Sequence, residues 1–165
     1  LRKNDGKYAI IIIGLIIVFL LSHFFMGNTP STIQKANYED IQNISKYNND
    51  IFLINTLPLH EQSCLIINTI NLNEEENVIN SLIKNNNYGV KIIIYGRNYS
   101  DYSAYSKYEQ LKQIGFINIF IYVGGLFEWL CLQDIYSSDN FKTTNVELDI
   151  IKYRPQSNIQ TQLLH

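Results

Sequence analysis

The stretch "VKIIIYGRNYSD", residues 90 to 101, decides the fold. Val90 to Tyr95 is a near-continuous apolar run, the pattern of a strand covered on both faces of a sheet. A tight polar loop, Gly96 to Asp101, follows at once. Ser100 or Asp101 then offers a cap for a helix whose apolar stripe is Ala104, Tyr108 and Leu111 and whose end is Gly115. Such strand–loop–helix junctions hold anions in α/β proteins, because backbone N–H groups and the helix N-terminus converge there.

Working outward, the alternation continues in both directions. "INIFIYV" (117–123) reads as a strand, and Gly124-Gly125 turns the chain into a helix, "LFEWLCLQDIY", with Leu126, Leu130 and Ile135 on one side. Upstream, "IFLINTL" (51–57) and "CLIINTI" (64–70) read as strands. Asn73 offers an N-cap with Glu76 three residues on, followed by a stripe of Val78, Ile79, Leu82 and Ile83. Residues 37–47 carry a short amphipathic helix through Tyr38, Ile41 and Ile44. Strands alternating with helices over short connections imply an α/β domain, a mostly parallel sheet with helices on both faces.

The N-terminal region is different in kind. Residues 8–26, "YAIIIIGLIIVFLLSHFFM", hold thirteen Ile, Leu, Val and Phe. As a helix they would span about 28 Å, close to the hydrocarbon thickness of a bilayer. At about −0.3 to −0.6 kcal/mol each, these side chains favour insertion by roughly 4 to 8 kcal/mol. No small-x-small cleavage site follows, so the run reads as one uncleaved single-pass anchor. Arg2, Lys3 and Lys7 precede it and only Lys35 follows closely, which leaves the N-terminus cytoplasmic. The expected organisation is a polar flank (1–7), a transmembrane anchor (8–26), a linker (27–36), an α/β domain (37–136) and a C-terminal extension (137–165) without periodicity, expected to pack loosely. Asn43-Ile-Ser45 and Asn98-Tyr-Ser100 match the glycosylation acceptor pattern.

Composition excludes several classes. The formal charge is −2 with Lys and Arg scattered, which argues against a nucleic-acid partner. Two cysteines, Cys64 and Cys131, make no disulfide framework and no zinc spacing. His23, His60 and His165 are far apart, so no metal or other cofactor is expected. No G-x-G-x-x-G or Walker loop is present. The abundance of Ile, Asn and Tyr reads as the codon bias of an AT-rich genome, as in a large DNA virus or a protist.

The segment from about 37 to 136 resembles a rhodanese-like domain. The resemblance is carried by the apolar strand, the loop 96–101, the helix ending in "LKQIGF", and "INIFIYVGGLFEW" with its GG-x-x-x-W element, Gly124, Gly125 and Trp129. The first half departs from the family: "INT" stands where the family has Asp-x-Arg after its early strand, and "SCLIINT" replaces its Gly-His-Ile and Gly-Ala. The resemblance implies a loop opened by a persulfide-carrying cysteine. Here that position is Gly96, followed by Arg97, Asn98, Tyr99, Ser100 and Asp101. Glycine cannot be a nucleophile, which excludes cysteine-dependent phosphatase chemistry as well. The sixth position is often basic in sulfurtransferases and is acidic here. An acid about 6 Å from a bound anion costs roughly 3 kcal/mol at an effective dielectric of about 20, and Arg97 offsets part of that.

No catalytic residue is therefore assigned. The expectation is a membrane-anchored, catalytically inactive rhodanese-like module that binds a protein partner. Two alternatives stand beside it: sulfur transfer through Cys64 or Cys131, and non-covalent sensing of a small anion by the 96–101 loop. Both cysteines read more simply as small buried hydrophobes. Arg97 reads as paired with an acid such as Asp101 or solvated, and Trp129 as core. Tyr99, Tyr102 and Tyr105 form a candidate aromatic surface. Glu74-Glu75-Glu76 reads as helix-start chemistry, and Glu128 and Asp134 as solvated helix residues.

Overall fold

The computed structural model describes residues 32–44 and 51–156. The chain divides after Thr32, and the unit beginning at Ile33 holds the folded domain. The apolar run 8–26 lies outside the described residues, among which no helix is long and apolar enough to cross a membrane.

Four strands form one sheet in the order β1-β4-β3-β2: β1 Gln34–Ala36, β2 Ile51–Asn55, β3 Lys91–Tyr95 and β4 Asn118–Tyr122. Every pairing is parallel. The register runs flush, with Asn55 opposite Tyr95 and Tyr95 opposite Tyr122, so the strands end together at one edge. The helices are α1 Tyr38–Gln42, α2 Leu72–Lys84, α3 Ser103–Ile114 and α4 Gly125–Tyr136, with single 3-10 turns at Leu59–Glu61 and Ile150–Tyr153. This is the α/β architecture that the alternation predicts.

Period-2 geometry sorts the strand residues onto two faces. Ile92, Ile94, Ile119 and Ile121 join Ile79 and Leu82 of α2 and Ala104, Tyr108 and Leu111 of α3. Ile93, Tyr95 and Tyr122 join Ile41 of α1 and Leu126, Trp129 and Leu130 of α4. Burial on both faces is why Ile92–Tyr95 reads as an unbroken apolar run. The stripe of α3 and its end at Gly115 stand as expected; Gly115 has φ 116°, the left-handed conformation that stops a helix without Cβ strain.

Several expectations need correction. "CLIINTI" is not a strand. Asn68 takes φ 67° and Thr69 N–H turns back to the Ile66 carbonyl, so only isolated bridges form, Leu53–Thr69 and Ile66–Thr143. The segment docks instead through side chains: Cys64, Leu65 and Ile66 are buried, and the Tyr95 hydroxyl accepts from Ile66 N–H at 3.2 Å and meets Thr69 Oγ1 at 2.8 Å. The cap of α2 is Asn71, whose side chain accepts from Asn73 N–H. Glu74 and Glu75 stand in the first turn of α2 as expected, and Glu75 is in addition buried and paired at 2.5 Å with Lys107 of α3. Residues 34–36, read as linker, form β1 on β4. In α4, Ile135 is 69% exposed, because five residues past Leu130 is about 140° around the helix.

The largest difference lies after α4. The stretch from Ser137 to Gln156 does not pack loosely. Phe141 and Tyr153 enter the core, and Phe141 stacks edge-on against Trp129 at 5.0 Å between centroids. Trp129 Nε1–H donates to the Lys142 carbonyl, Ile67 N–H to the same carbonyl, and Thr144 N–H to the Leu65 carbonyl. This strap binds through sparse aromatic anchors and backbone pairs, a pattern without helical or strand period. Residues 157–165 lie outside the described residues.

Candidate functional site

The loop 96–102 leaves the C-terminal end of β3, between the ends of β2 and β4, where open parallel sheets place their binding crevices. Its backbone is fixed from below by α4. Leu126 N–H donates to the Gly96 carbonyl at 3.0 Å and Phe127 N–H to the Arg97 carbonyl at 2.9 Å. That contact explains the second glycine of the GG-x-x-x-W element. Gly125 has φ 63°, and a Cβ there would stand 2.6 Å from the Gly96 carbonyl oxygen and 2.8 Å from Asn98 N. At Gly124 a Cβ would collide with the Glu128 side chain, which folds back over the start of α4. Trp129 completes the element by packing on Tyr122 and Phe141.

The loop then satisfies itself. Arg97 N–H donates to Asp101 Oδ2 at 2.8 Å, and Ser103 N–H to Asp101 Oδ1 at 2.9 Å. Asp101 therefore supplies the acceptor at the start of α3, although Tyr102 occupies the cap position and makes no side-chain cap bond. Ser100 N–H and Oγ–H both donate to Asn98 Oδ1. On the other side, Thr56 Oγ1 meets Ser103 Oγ at 2.6 Å and donates to the Tyr95 carbonyl at 3.3 Å.

Arg97 does not pair with Asp101 through its guanidinium. It forms a bidentate pair with Glu61 on the first 3-10 turn. The Tyr153 hydroxyl donates to the Glu61 carbonyl at 3.2 Å, and Asn98 Nδ2–H donates to the Tyr153 carbonyl at 2.6 Å. Loop, 3-10 turn and C-terminal strap thus close into one ring of contacts. Asn98 is 6% exposed with its amide nitrogen engaged, so a glycan on that acceptor is incompatible with the folded domain.

A cleft of about 660 Å³ lies over the loop, lined by Arg97 to Ser103 together with Thr56, Pro58, Tyr105, Arg154 and Gln156. Tyr99 and Tyr102 are exposed on its rim, and Tyr102 and Tyr105 are in ring contact. No cysteine lines this cleft. The Cys64 thiol is buried and donates to the Asn145 carbonyl at 3.0 Å; burial pushes its pKa up. Cys131 is half-buried on α4, and burial, with Asp134 and Glu128 nearby, pushes its thiol up as well. Neither is poised as a thiolate. Among the described residues no group of three His, Cys, Asp or Glu side chains is placed to hold a metal ion.

The structure therefore brings together all six loop residues named from the sequence and sets Gly124, Gly125 and Trp129 beneath them. It adds Thr56, Glu61 and Tyr153, which no local pattern marked. The one available signal was an isolated aromatic, Tyr153, in a polar tail.

Among functionally curated proteins none matches the chain. Solved structures to which it is similar include the single-domain sulfurtransferase RDL2 of Saccharomyces cerevisiae, at 16% identity and TM-score 0.49 over 66% of this chain and 98% of that one. The rhodanese-like domain of the Alr3790 protein of Anabaena is 12% identical at TM-score 0.48, over 76% and 87% of the two chains. The BH2092 protein of Bacillus halodurans is 17% identical at TM-score 0.46, over 80% and 90%. The Rhodanese-like domain family matches residues 32–131, more than half of the chain and the span that carries the sheet, the loop and the GG-x-x-x-W element. This chain belongs to the rhodanese-like domain family.

Proposed function

We propose that the chain is a membrane-anchored rhodanese-like module that acts by binding and does not transfer sulfur. One observation carries this reading: the loop opens on Gly96, and no sulfur atom lines the cleft above it. Sulfane transfer in this fold needs a thiolate inside the ring of loop amides, and no other residue of the loop offers a comparable nucleophile. Sulfur transfer through Cys64 or Cys131 would require a buried or half-buried thiol, unactivated by any cation of the loop, to reach a cleft that it does not line.

The anchor is residues 8–26, supported by their length and apolarity alone. The partner is a protein, and nucleic acid is disfavoured by the scattered positive charge. Tyr99 and Tyr102 on the rim of the cleft are the residues best exposed to meet it.

The test uses the full chain in detergent with thiosulfate and cyanide. The expected result is no thiocyanate above the protein-free blank and no added sulfur in the intact mass. Turnover that disappears in Cys64→Ser or Cys131→Ser would overturn the reading. For the anchor, the full chain is expected to stay with membranes through alkaline carbonate extraction, and extraction into the soluble fraction would remove it.

A further inference from the structure

Gly96 does more than lack a nucleophile. A Cβ built on it would stand 2.6 Å from Asp101 Oδ2, 2.9 Å from Asp101 Cγ and 3.1 Å from Thr56 Oγ1. The space a side chain at position 96 would enter is therefore filled by a carboxylate from the same loop. Real Cβ atoms do not approach other heavy atoms so closely, so either the loop or the acid would have to move.

The carboxylate also takes two of the donors around the loop. One oxygen accepts from Arg97 N–H, and the other from Ser103 N–H in the first turn of α3. Ser100 N–H is committed to the Asn98 side chain. Of the two arginines that line the cleft, Arg97 is matched by Glu61, and Arg154 donates to the Ile151 carbonyl. An anion entering beside Asp101 would meet its negative charge, the Arg97, Ser100 and Ser103 N–H donors already in use, and an Arg97 guanidinium already paired.

We infer that Asp101 is a tethered internal anion that holds the loop closed, both to external anions and to any side chain at position 96. This rests on the reading of a loop without a nucleophile and adds a consequence to it. Loss of sulfur chemistry here is a two-residue state, so restoring a cysteine alone does not restore a competent loop. It also closes the anion-sensing route for the unsubstituted chain.

The experiment compares the full chain with Asp101→Ser. The serine hydroxyl retains a turn bond to Ser103 N–H, which protects the start of α3, but is too short to fill the loop. Saturable thermal stabilisation by thiosulfate is expected in Asp101→Ser at concentrations about tenfold or more below those needed for any effect on the unsubstituted chain. A second pair of variants asks the same question without depending on ligand affinity. In Gly96→Cys the introduced thiol faces the Asp101 carboxylate, and in Gly96→Cys with Asp101→Ser it does not. Alkylation by iodoacetamide at neutral pH is expected to be about tenfold or more faster in the second, because a neighbouring carboxylate disfavours the thiolate. Equal alkylation rates, or equal stabilisation of the unsubstituted chain and Asp101→Ser by thiosulfate, overturns the assignment. Thiocyanate release by the unsubstituted chain is a separate result and would sink the non-transferring reading itself.

Discussion

Two short segments of this domain face each other across a pair of hydrogen bonds and answer to different rules. Gly124–Trp129 carries the GG-x-x-x-W pattern, whose backbone N–H groups hold the loop from below, and the loop Gly96–Asp101 opens on a glycine. The difference shows that the two segments answer to different physical demands. Gly125 and Trp129 are needed for the backbone to approach and the core to close, whatever the loop does chemically. A nucleophile at position 96 serves chemistry alone, and the fold is complete without it.

Damage to Gly124–Trp129 is expected to cost more stability than damage to the loop. Trp129→Ala is expected to cost most, about 3–5 kcal/mol, since it empties a fully buried aromatic site. It also removes one of the rings packed on Phe141 and one of the two donors to the Lys142 carbonyl, so the strap from Ser137 should become more susceptible to protease at the same time. Urea denaturation and limited proteolysis measure the two effects. Gly125→Ala comes next, at about 2–4 kcal/mol, from left-handed backbone strain together with contact against the Gly96 carbonyl. A tolerated alanine at 125 would break the comparison, because the signature glycine would then have no structural role.

On the loop side the largest effect belongs to Asn98. Removing its amide in Asn98→Ala leaves the buried Tyr153 carbonyl and Ser100 N–H without their side-chain partner, at about 2 kcal/mol. Chemical denaturation should place it clearly below Trp129→Ala. An equal cost would mean that the loop is as much scaffold as the helix beneath it.

The same division explains what was legible in the sequence. Ile92–Tyr95, the Ala104–Tyr108–Leu111 stripe, Gly115 and Gly124–Trp129 were readable because each follows a local rule of period, cap or turn. The loop was readable as a strand-to-helix loop, since its boundaries are set by the strand before it and the helix after it. "CLIINTI" misled because composition favours extension, and the break at Asn68 depends on a left-handed conformation that any asparagine could supply and that, among the described residues, only Asn68 and Asn86 take. Glu75 was legible only in part: it stands in the first turn of its helix as read, but its partner Lys107 lies on a different helix and leaves no local sign. The closing of the loop by Asp101 and the ring through Glu61 and Tyr153 were illegible, because the partners lie far apart in sequence or turn on a side-chain direction that no spacing encodes. The strap is the extreme case, with two anchors, Phe141 and Tyr153, spread over a polar tail.

The strap also supplies the smallest and most pointed test. Glu147 pairs with Lys152 and lies 3.5 Å from the Tyr153 hydroxyl, so it helps hold the residue that Asn98 grips from the loop. The Lys152 ammonium holds the Glu147 carboxyl below its ordinary value of 4.5, and the same carboxylate raises Lys152 above 10.5. For the depressed carboxyl, the unfolded chain binds more protons around pH 4.5, so its stabilisation is complete above that value and is lost as pH falls through the folded value. For the raised ammonium, stabilisation is complete below pH 10.5 and is lost as pH rises through its folded value. The Lys152 side chain is 36% exposed, so solvent screens the pair and its contribution stays within about 1 kcal/mol. Glu147→Gln is therefore expected to lower stability slightly near neutral pH and to flatten both limbs of a stability–pH profile. If the strap belongs with the scaffold, the unfolding transition of Glu147→Gln stays single and moves as a whole. A separate early transition, with the strap leaving before the sheet, would place the strap with the loop and redraw the boundary between the two regions.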